Sequence, residues 1–328
     1  MTPVVSLRVV RNDQDACVDQ QGEFASDMLA ALANHPRGIS PKYFYDAQGS
    51  ALFDQICELP EYYPTRTEVG ILQDNAAGIA AQMGPRAEIV EFGAGSLHKV
   101  RLLLDAAEAP ARYVPIDISG EHMTQAAALL RRDYPGLQVE PVVGDYTQPL
   151  TLPPPLAHAG RRIGFFPGST IGNFTPDEAL RFLRTAARTL RGGALLLGAD
   201  LIKDPARLHA AYSDSQGVTA AFNLNVLARA NRELQADFDL SQFAHSAFYN
   251  APQRRVEMHL LSLKRQRVTV LGRSFELEEG ETIHTENSHK FTIDSLRTMA
   301  RTAGFTPGPV WTDPDKLFSL HWLEAPRT

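Results

Sequence analysis

From about residue 87 to residue 199, short apolar runs alternate with stretches of helical periodicity, and this alternation limits the fold of the chain more than any other feature. Apolar runs too short for helices, separated by amphipathic segments, are the pattern of parallel strands covered on both faces by crossover helices. Ala87 to Gly93 (AEIVEFG) reads as a first strand, Arg112 to Ser119 (RYVPIDIS) as a second, and Leu137 to Asp145 (LQVEPVVGD) as a third. A helix pattern begins near Lys99, and Met123, Ala127 and Leu130 mark another that Pro135-Gly136 stops. Arg162 to Gly168 (RIGFFPG) supplies a fourth strand. Thr175-Pro176-Asp177-Glu178 then forms a capping box with proline at the first helical position. Gly192-Gly193 ends that helix before Ala194 to Ala199 (ALLLGA), a fifth, wholly apolar strand.

The C-terminal part resumes this α/β pattern after an interruption. Ile293 to Ala303 is helical, Gly304 caps it, and PVWTDP with LFSLHWLEA reads as a β-hairpin. Between the two parts, Asp204 to Lys290 is patterned differently, with a helix around Gly217 to Glu233 and alternating strands such as Arg255 to Leu263. This insertion and the N-terminal segment through Pro64 are expected to pack together as a second, discontinuous domain.

The 38 Asp plus Glu outnumber the 32 Lys plus Arg, and a net charge of -6 repels a phosphate backbone, so nucleic acid is not an expected partner. The densest basic run, Lys264-Arg265-Gln266-Arg267, alternates into a strand and reads as a solvated sheet face. No apolar stretch reaches the roughly 20 residues that span a bilayer. Arg8, Arg11, Asp13 and Asp15 interrupt the N-terminus where a secretory leader needs an apolar core, and the only cysteines are Cys17 and Cys57. A reduced, cytoplasmic protein is expected, without membrane or obligate protein partner.

Glu91-Phe92-Gly93-Ala94-Gly95 lies where the first strand gives way to a helix, the position at which open α/β sheets bind nucleotides. Paired glycines also begin dinucleotide-binding turns, but those need a small residue at position 98, where this chain has His98. Asp117 closes the second strand, as an acid that bonds ribose hydroxyls does. Gly144-Asp145-Tyr146 closes the third, with an acid to accept from an adenine amino group and an aromatic to cover the base. An exposed helix N-cap is the alternative for each acid taken singly; the three together point to an adenosine-containing cofactor.

Tyr43 to Glu68 (YFYDAQGSALFDQICELPEYYPTRTE), Gly168 to Phe174 (GSTIGNF), Leu197 to Pro205 (LGADLIKDP), Tyr212 to Leu227 (YSDSQGVTAAFNLNVL) and Thr285 to Phe291 (TENSHKF) resemble the ergothioneine-pathway L-histidine Nα-methyltransferases. The resemblance runs from about Ser40 to the end. It implies a class I methyltransferase, Rossmann-like sheet formed by residues 67–203 and 291–328, which binds S-adenosylmethionine. It implies also a discontinuous α+β domain formed by 14–66 and 204–290, which binds the amino acid. Carried onto matching positions, Tyr45, Gly93, Lys99, Asp117, Asp145, Tyr146, Gly168 and Ser169 surround the cofactor. Tyr62, Asn173 and Tyr212 hold the substrate's amino and carboxylate groups, with Tyr45 and Asn173 the catalytic pair. Glu286 and Ser288 bind the imidazole, and Met258 packs beside it. The implied reaction is methylation of the α-amino group of free L-histidine, through to the trimethylated betaine, hercynine.

The residues support this chemistry in their own right. Methyl transfer from a sulfonium is an in-line displacement that needs alignment and an unprotonated amine, and tyrosine with asparagine orients an amine without favouring its ammonium form. Glu286 and Ser288 are two apart in an extended segment and so share a face. Ala94 and Asn287 depart from the family's usual residues. His284 and His289 flank Glu286 but lack further ligands at metal-site spacing, so no metal is expected. Another amino acid such as tryptophan, or a related amine, is the alternative acceptor. An NAD-dependent oxidoreductase and a non-catalytic binding module are the alternatives of other classes.

Overall fold

A computed structural model describes residues 13–327 except Ser96, Ser119 and Pro149. The N-terminal stretch read for a leader, Ser96 after the paired glycines, and Ser119 at the end of the second predicted strand therefore lie outside the described residues.

Helix α1 (Asp13–Ala33) is followed by the short strand β1 (Arg37–Gly38) and by α2 (Ala47–Glu58), α3 (Tyr63–Asp74) and α4 (Ala76–Met83). The alternating region then gives β2 (Glu88–Phe92), α5 (Leu97–Ala106), β3 (Arg112–Asp117), α6 (Gly120–Asp133), β4 (Gln138–Val139), β5 (Val142–Val143), β6 (Arg162–Phe166), α7 (Pro176–Thr189) and β7 (Ala194–Asp200). The expected third strand is thus broken in two. Pro141 between the halves has no N–H for a ladder, and β3 pairs with β4 through Tyr113 and with β5 through Ile116. The capping box that starts α7 is formed by Thr175 and Glu178, with Pro176 in the first turn.

The insertion contributes α8 (Pro205–Tyr212), α9 (Val218–Glu233), β8 (Phe243–Asn250), β9 (Arg255–Ser262), β10 (Gln266–Val270), β11 (Arg273–Leu277) and β12 (Thr282–His289). The chain ends with α10 (Ile293–Thr302), β13 (Thr306–Thr312) and β14 (Phe318–Glu324). The large sheet runs β13-β14-β7-β6-β2-β3-β4, with β5 also on β3. β4 to β7 are parallel and the terminal hairpin is antiparallel to β7. This is the doubly wound sheet with a terminal hairpin of a class I methyltransferase. One apolar core lies on each face: Val90, Ile116, Phe166 and Leu197 point to α7 and α10, while Ile89, Phe165 and Leu196 point to α4 and α5.

A second sheet, β1-β12-β9-β8, joins the N-terminal segment to the insertion. It shares a third core, including Phe24, Phe44, Phe222, Val256 and Met258, with α1, α2 and α9. The basic run of residues 264–267 sits at the turn into β10, where Arg267 pairs with Glu276. Helix α3 runs through residue 66, so the chain crosses from one sheet's helices to the other's without a break. The two sheets meet where β7 and β12 end: Phe291 N–H donates to the Asp200 carbonyl at 2.9 Å, and Ile202 N–H to the Phe291 carbonyl at 2.9 Å.

Candidate active site

The switch point of the large sheet lies between β2, whose following helix leads to β3, and β6, which pairs on its other side. Gly93 follows β2 in the left-handed region (φ +76), and a Cβ there would stand 3.3 Å from Tyr146 Cε1. The Tyr146 ring, also packed on Phe166 and Phe182, therefore covers the glycine turn. Asp117 ends β3, and its carbonyl accepts from Gly144 N–H at 2.9 Å, which draws the β5 loop alongside it. Asp145 accepts from the N–H and hydroxyl of Thr147 through Oδ1, at 2.8 and 2.6 Å, and has Lys42 Nζ 3.8 Å from Oδ2. One of its oxygens is thus held in a local turn.

Glu68, fully buried on α3, ties several predicted donor-site residues together and was not found from sequence. It accepts from Lys99 Nζ at 2.6 Å and from Gly168 N–H at 2.9 and 3.0 Å. Its signal was available, since with Pro64, Ile71 and Leu72 it occupies the buried stripe of an amphipathic helix, where a charge must be paired. Space for it comes from Gly198 in β7, where a Cβ would lie 2.2 Å from Glu68 Oε1. Ser169 follows Gly168 with φ 57, and its Oγ accepts from Asp200 N–H at 2.9 Å. Glu91, at the end of β2, accepts from the Tyr113 hydroxyl, and burial lifts its carboxyl to about 8.

The acceptor side is built from α2, the start of α3, α8, α9, β9 and β12. Tyr62, Tyr212, Met258 and Glu286 line one cavity with Phe53, Thr219 and Phe222. The Tyr62 and Tyr212 rings meet edge to face at 6.4 Å, and Tyr45 packs on Phe53 and Phe222 at 5.6 and 5.7 Å. Burial raises the Tyr45 phenol well above its ordinary value, with Glu286 and Tyr146 adding to the effect, so this hydroxyl keeps its proton. Asn173 ends the turn after Ser169. That turn is seated on β12 because Gly172 admits the His289 backbone, whose carbonyl oxygen would be 2.8 Å from a Cβ.

Glu286 and Ser288 are both buried and pair across the strands with Met258 and Val256, so they share the inner face. Asn287 pairs with Glu257 and faces the opposite way. Burial lifts the Glu286 carboxyl to about 7 against the pull of Lys290, with no hydrogen bond to offset it. Ser288 Oγ lies 2.6 Å from Tyr212 Oη, and Lys290 Nζ donates to both. Tyr63, beside Tyr62, donates instead to Asp200 at 2.6 Å. The buried Thr219 hydroxyl, close to Asp214, has no partner in hydrogen-bond geometry and is a second residue that sequence reasoning missed.

Two other features lie apart from this site. Glu257, His259 and His284 hold possible ligand atoms within 4.8 Å of one another, on the outer face of the second sheet. There the two imidazoles stack at 4.8 Å rather than converge, and Arg255 occupies Glu257. His289 does not join them. A cleft of about 310 Å³ between Arg66, Arg207 and Leu317 is larger than the cavity at Glu286 but is lined by none of the site residues expected from sequence.

The family model for SAM-dependent, histidine-specific methyltransferases matches residues 24–325. The histidine N-alpha-methyltransferase of Mycolicibacterium smegmatis is 46% identical over 300 residues, covering 90% of this chain and 92% of that protein. That of Mycobacterium tuberculosis is 44% identical over 301 residues, with the same coverage of 90% and 92%. A solved structure from Bordetella parapertussis, described as a possible exported protein, matches at a TM-score of 0.50 with 11% identity over 98% of this chain and 100% of that one, a likeness of fold alone. With a glycine turn under Tyr146 on one side and a buried Glu286–Ser288 face on the other, the chain belongs to the S-adenosylmethionine-dependent, histidine-specific methyltransferases.

Proposed function

We propose that this protein methylates the α-amino nitrogen of free L-histidine in successive turnovers, ending at the trimethylammonium betaine, hercynine. The observation that carries the reading is the placement of Glu286 and Ser288 on one buried strand face, with Glu286 in the cavity that Tyr62, Tyr212 and Met258 also line. Residues 67–203 and 291–328 are assigned to the donor, and 14–66 with 204–290 to the amino acid. A reducing cytoplasmic location belongs to the same reading; Cys57 is a free thiol, and among the described residues no helix is long and apolar enough to cross a membrane.

The residues present fit S-adenosylmethionine: the cradle at Gly93 would be filled by a Cβ, and Asp117 and Asp145 follow the adjoining strands. Bound there, the cofactor supplies an electrophilic methyl group. Asp117 holds the ribose hydroxyls, Asp145 and Tyr146 the base, and Gly93, Gly168, Ser169, Lys99 and Tyr45 close around the rest. Tyr45 and Asn173 orient the amine lone pair along the line of displacement, and being uncharged they do not stabilise its ammonium form. Tyr62 donates to the carboxylate, and the Tyr212 ring packs edge to face against the Tyr62 ring. Glu286 accepts from one ring nitrogen, Ser288 meets the other, and Met258 packs on the ring. After each of the first two transfers the nitrogen regains its lone pair by losing a proton to solvent, and after the third it has none to lose, so one site serves all three.

The test is the ratio of kcat/KM for histidine and tryptophan in wild type and Glu286→Ala, with S-adenosylhomocysteine affinity measured in parallel. A charge-assisted hydrogen bond of about 1.5–3 kcal/mol corresponds to a fall in that ratio of roughly ten- to a hundredfold. A constant ratio with donor binding preserved would refute Glu286 as the imidazole selector.

A further inference from the structure

Lys290 follows β12 at the seam between the two sheets. Its side chain is fully buried, and the Phe291–Asp200 backbone bond brings it to the end of β7. Nζ lies 2.8 Å from Asp200 Oδ2, 2.8 Å from Ser288 Oγ and 3.0 Å from Tyr212 Oη. An ammonium has three N–H groups and no lone pair, so each of these oxygens receives one proton. Tyr212 Oη and Ser288 Oγ are themselves 2.6 Å apart, and one must donate to the other. The phenol is the stronger acid and the poorer acceptor, so it donates to the serine. Ser288 Oγ then accepts twice, and its own proton is left for a group on the inner face that it shares with Glu286, without a free lone pair beside it.

We propose that Lys290 is a positioning residue that makes Ser288 a pure hydrogen-bond donor, so that the pocket selects a neutral imidazole with its bare nitrogen on Ser288 and its N–H on Glu286. The proposal rests on the histidine reading above and adds what sets the polarity of that pocket. A ring with one N–H and no second nitrogen leaves the Ser288 proton buried and unpaired, a penalty larger than the loss of an ordinary hydrogen bond. Without Lys290, the Tyr212–Ser288 pair can reverse, Ser288 donating to the released phenol lone pair and the phenol proton turning to the substrate carboxylate beside Tyr62, and the penalty disappears.

Lys290→Met is a fair perturbation because Lys203 Nζ, at 2.5 Å, and the Tyr63 hydroxyl, at 2.6 Å, remain on Asp200. If it does not fold, Lys290→Met combined with Asp200→Asn removes cation and counter-charge together and is read the same way. The experiment compares kcat/KM for L-histidine and for the two β-pyrrolylalanines, each of which has one ring N–H and a C–H in place of the other nitrogen. Wild type should prefer histidine over the better pyrrole by about tenfold or more. Lys290→Met should bring that preference to within about threefold, Ser288→Ala should do likewise, and the double variant should show no further change. A preference unchanged in Lys290→Met overturns the role of Lys290 while leaving the histidine reading intact. An equal fall on adding Lys290→Met to Ser288→Ala also overturns it, because Lys290 would then act other than through Ser288. A wild-type enzyme that does not methylate histidine at all overturns the histidine reading and this proposal with it.

Discussion

Replacing Glu286 with glutamine should make the protein more stable at alkaline than at acidic pH relative to wild type. Burial raises this carboxyl from an ordinary 4.5 to about 7, and the opposing attraction of Lys290 does not cancel the effect. A carboxyl with a raised folded-state pKa favours folding fully only below its unfolded value, and that contribution is lost as pH rises through the folded value. At about 1.4 kcal/mol per unit, the ionised group costs about 3 kcal/mol at pH 8. Roughly 0.8 of this is already present at pH 5, so about 2.5 kcal/mol develops between pH 5 and pH 8. Glutamine keeps the shape and does not titrate, and other buried acids such as Glu91 change equally in both proteins. Urea unfolding of ligand-free wild type and Glu286→Gln at both pH values should therefore show the variant gaining about 2.5 kcal/mol on going from pH 5 to pH 8. A constant difference between the two proteins would mean that Glu286 is well solvated or paired, and the account of the pocket as a desolvated carboxylate awaiting a ring N–H would fail.

Asp117→Ala should weaken S-adenosylhomocysteine binding by roughly ten- to a hundredfold in calorimetry, while NAD should not bind wild type; an unchanged dissociation constant would remove the ribose role. Gly198→Ala should lower stability by about 1–3 kcal/mol, because its Cβ would stand 2.2 Å from Glu68 Oε1. Adding Glu68→Ala should recover part of the lost melting temperature, and failure to do so would show that the clash lies elsewhere. With donor in excess, mass spectrometry should follow histidine to a product three methyl groups heavier; arrest at one methyl group would contradict successive transfer.

The amphipathic pattern was enough to read the large sheet, because a strand covered on both faces must be apolar throughout, as Ala194 to Ala199 is. It did not show that Pro141 divides the third strand, since the apolar residues continue across the break while the lost N–H leaves no trace in hydrophobicity. The same-face relation of Glu286 and Ser288 was legible from spacing alone. Their relation to Tyr212, 76 residues from Ser288, was not.

The sequence by itself determined the element types, the order of the crossovers and the chemical identity of the strand-end residues, because these depend on periodicities of two and 3.6 residues and on local turn chemistry. Only the tertiary structure decided which charges share a site. Glu68 reaches Gly168 and Lys99 because α3 packs beside β7 at Gly198, and Lys290 reaches Asp200 because the ends of β7 and β12 pair. Such contacts depend on how separate elements pack, and desolvation, which lifts the Glu286 carboxyl, exists only once the chain has closed around it.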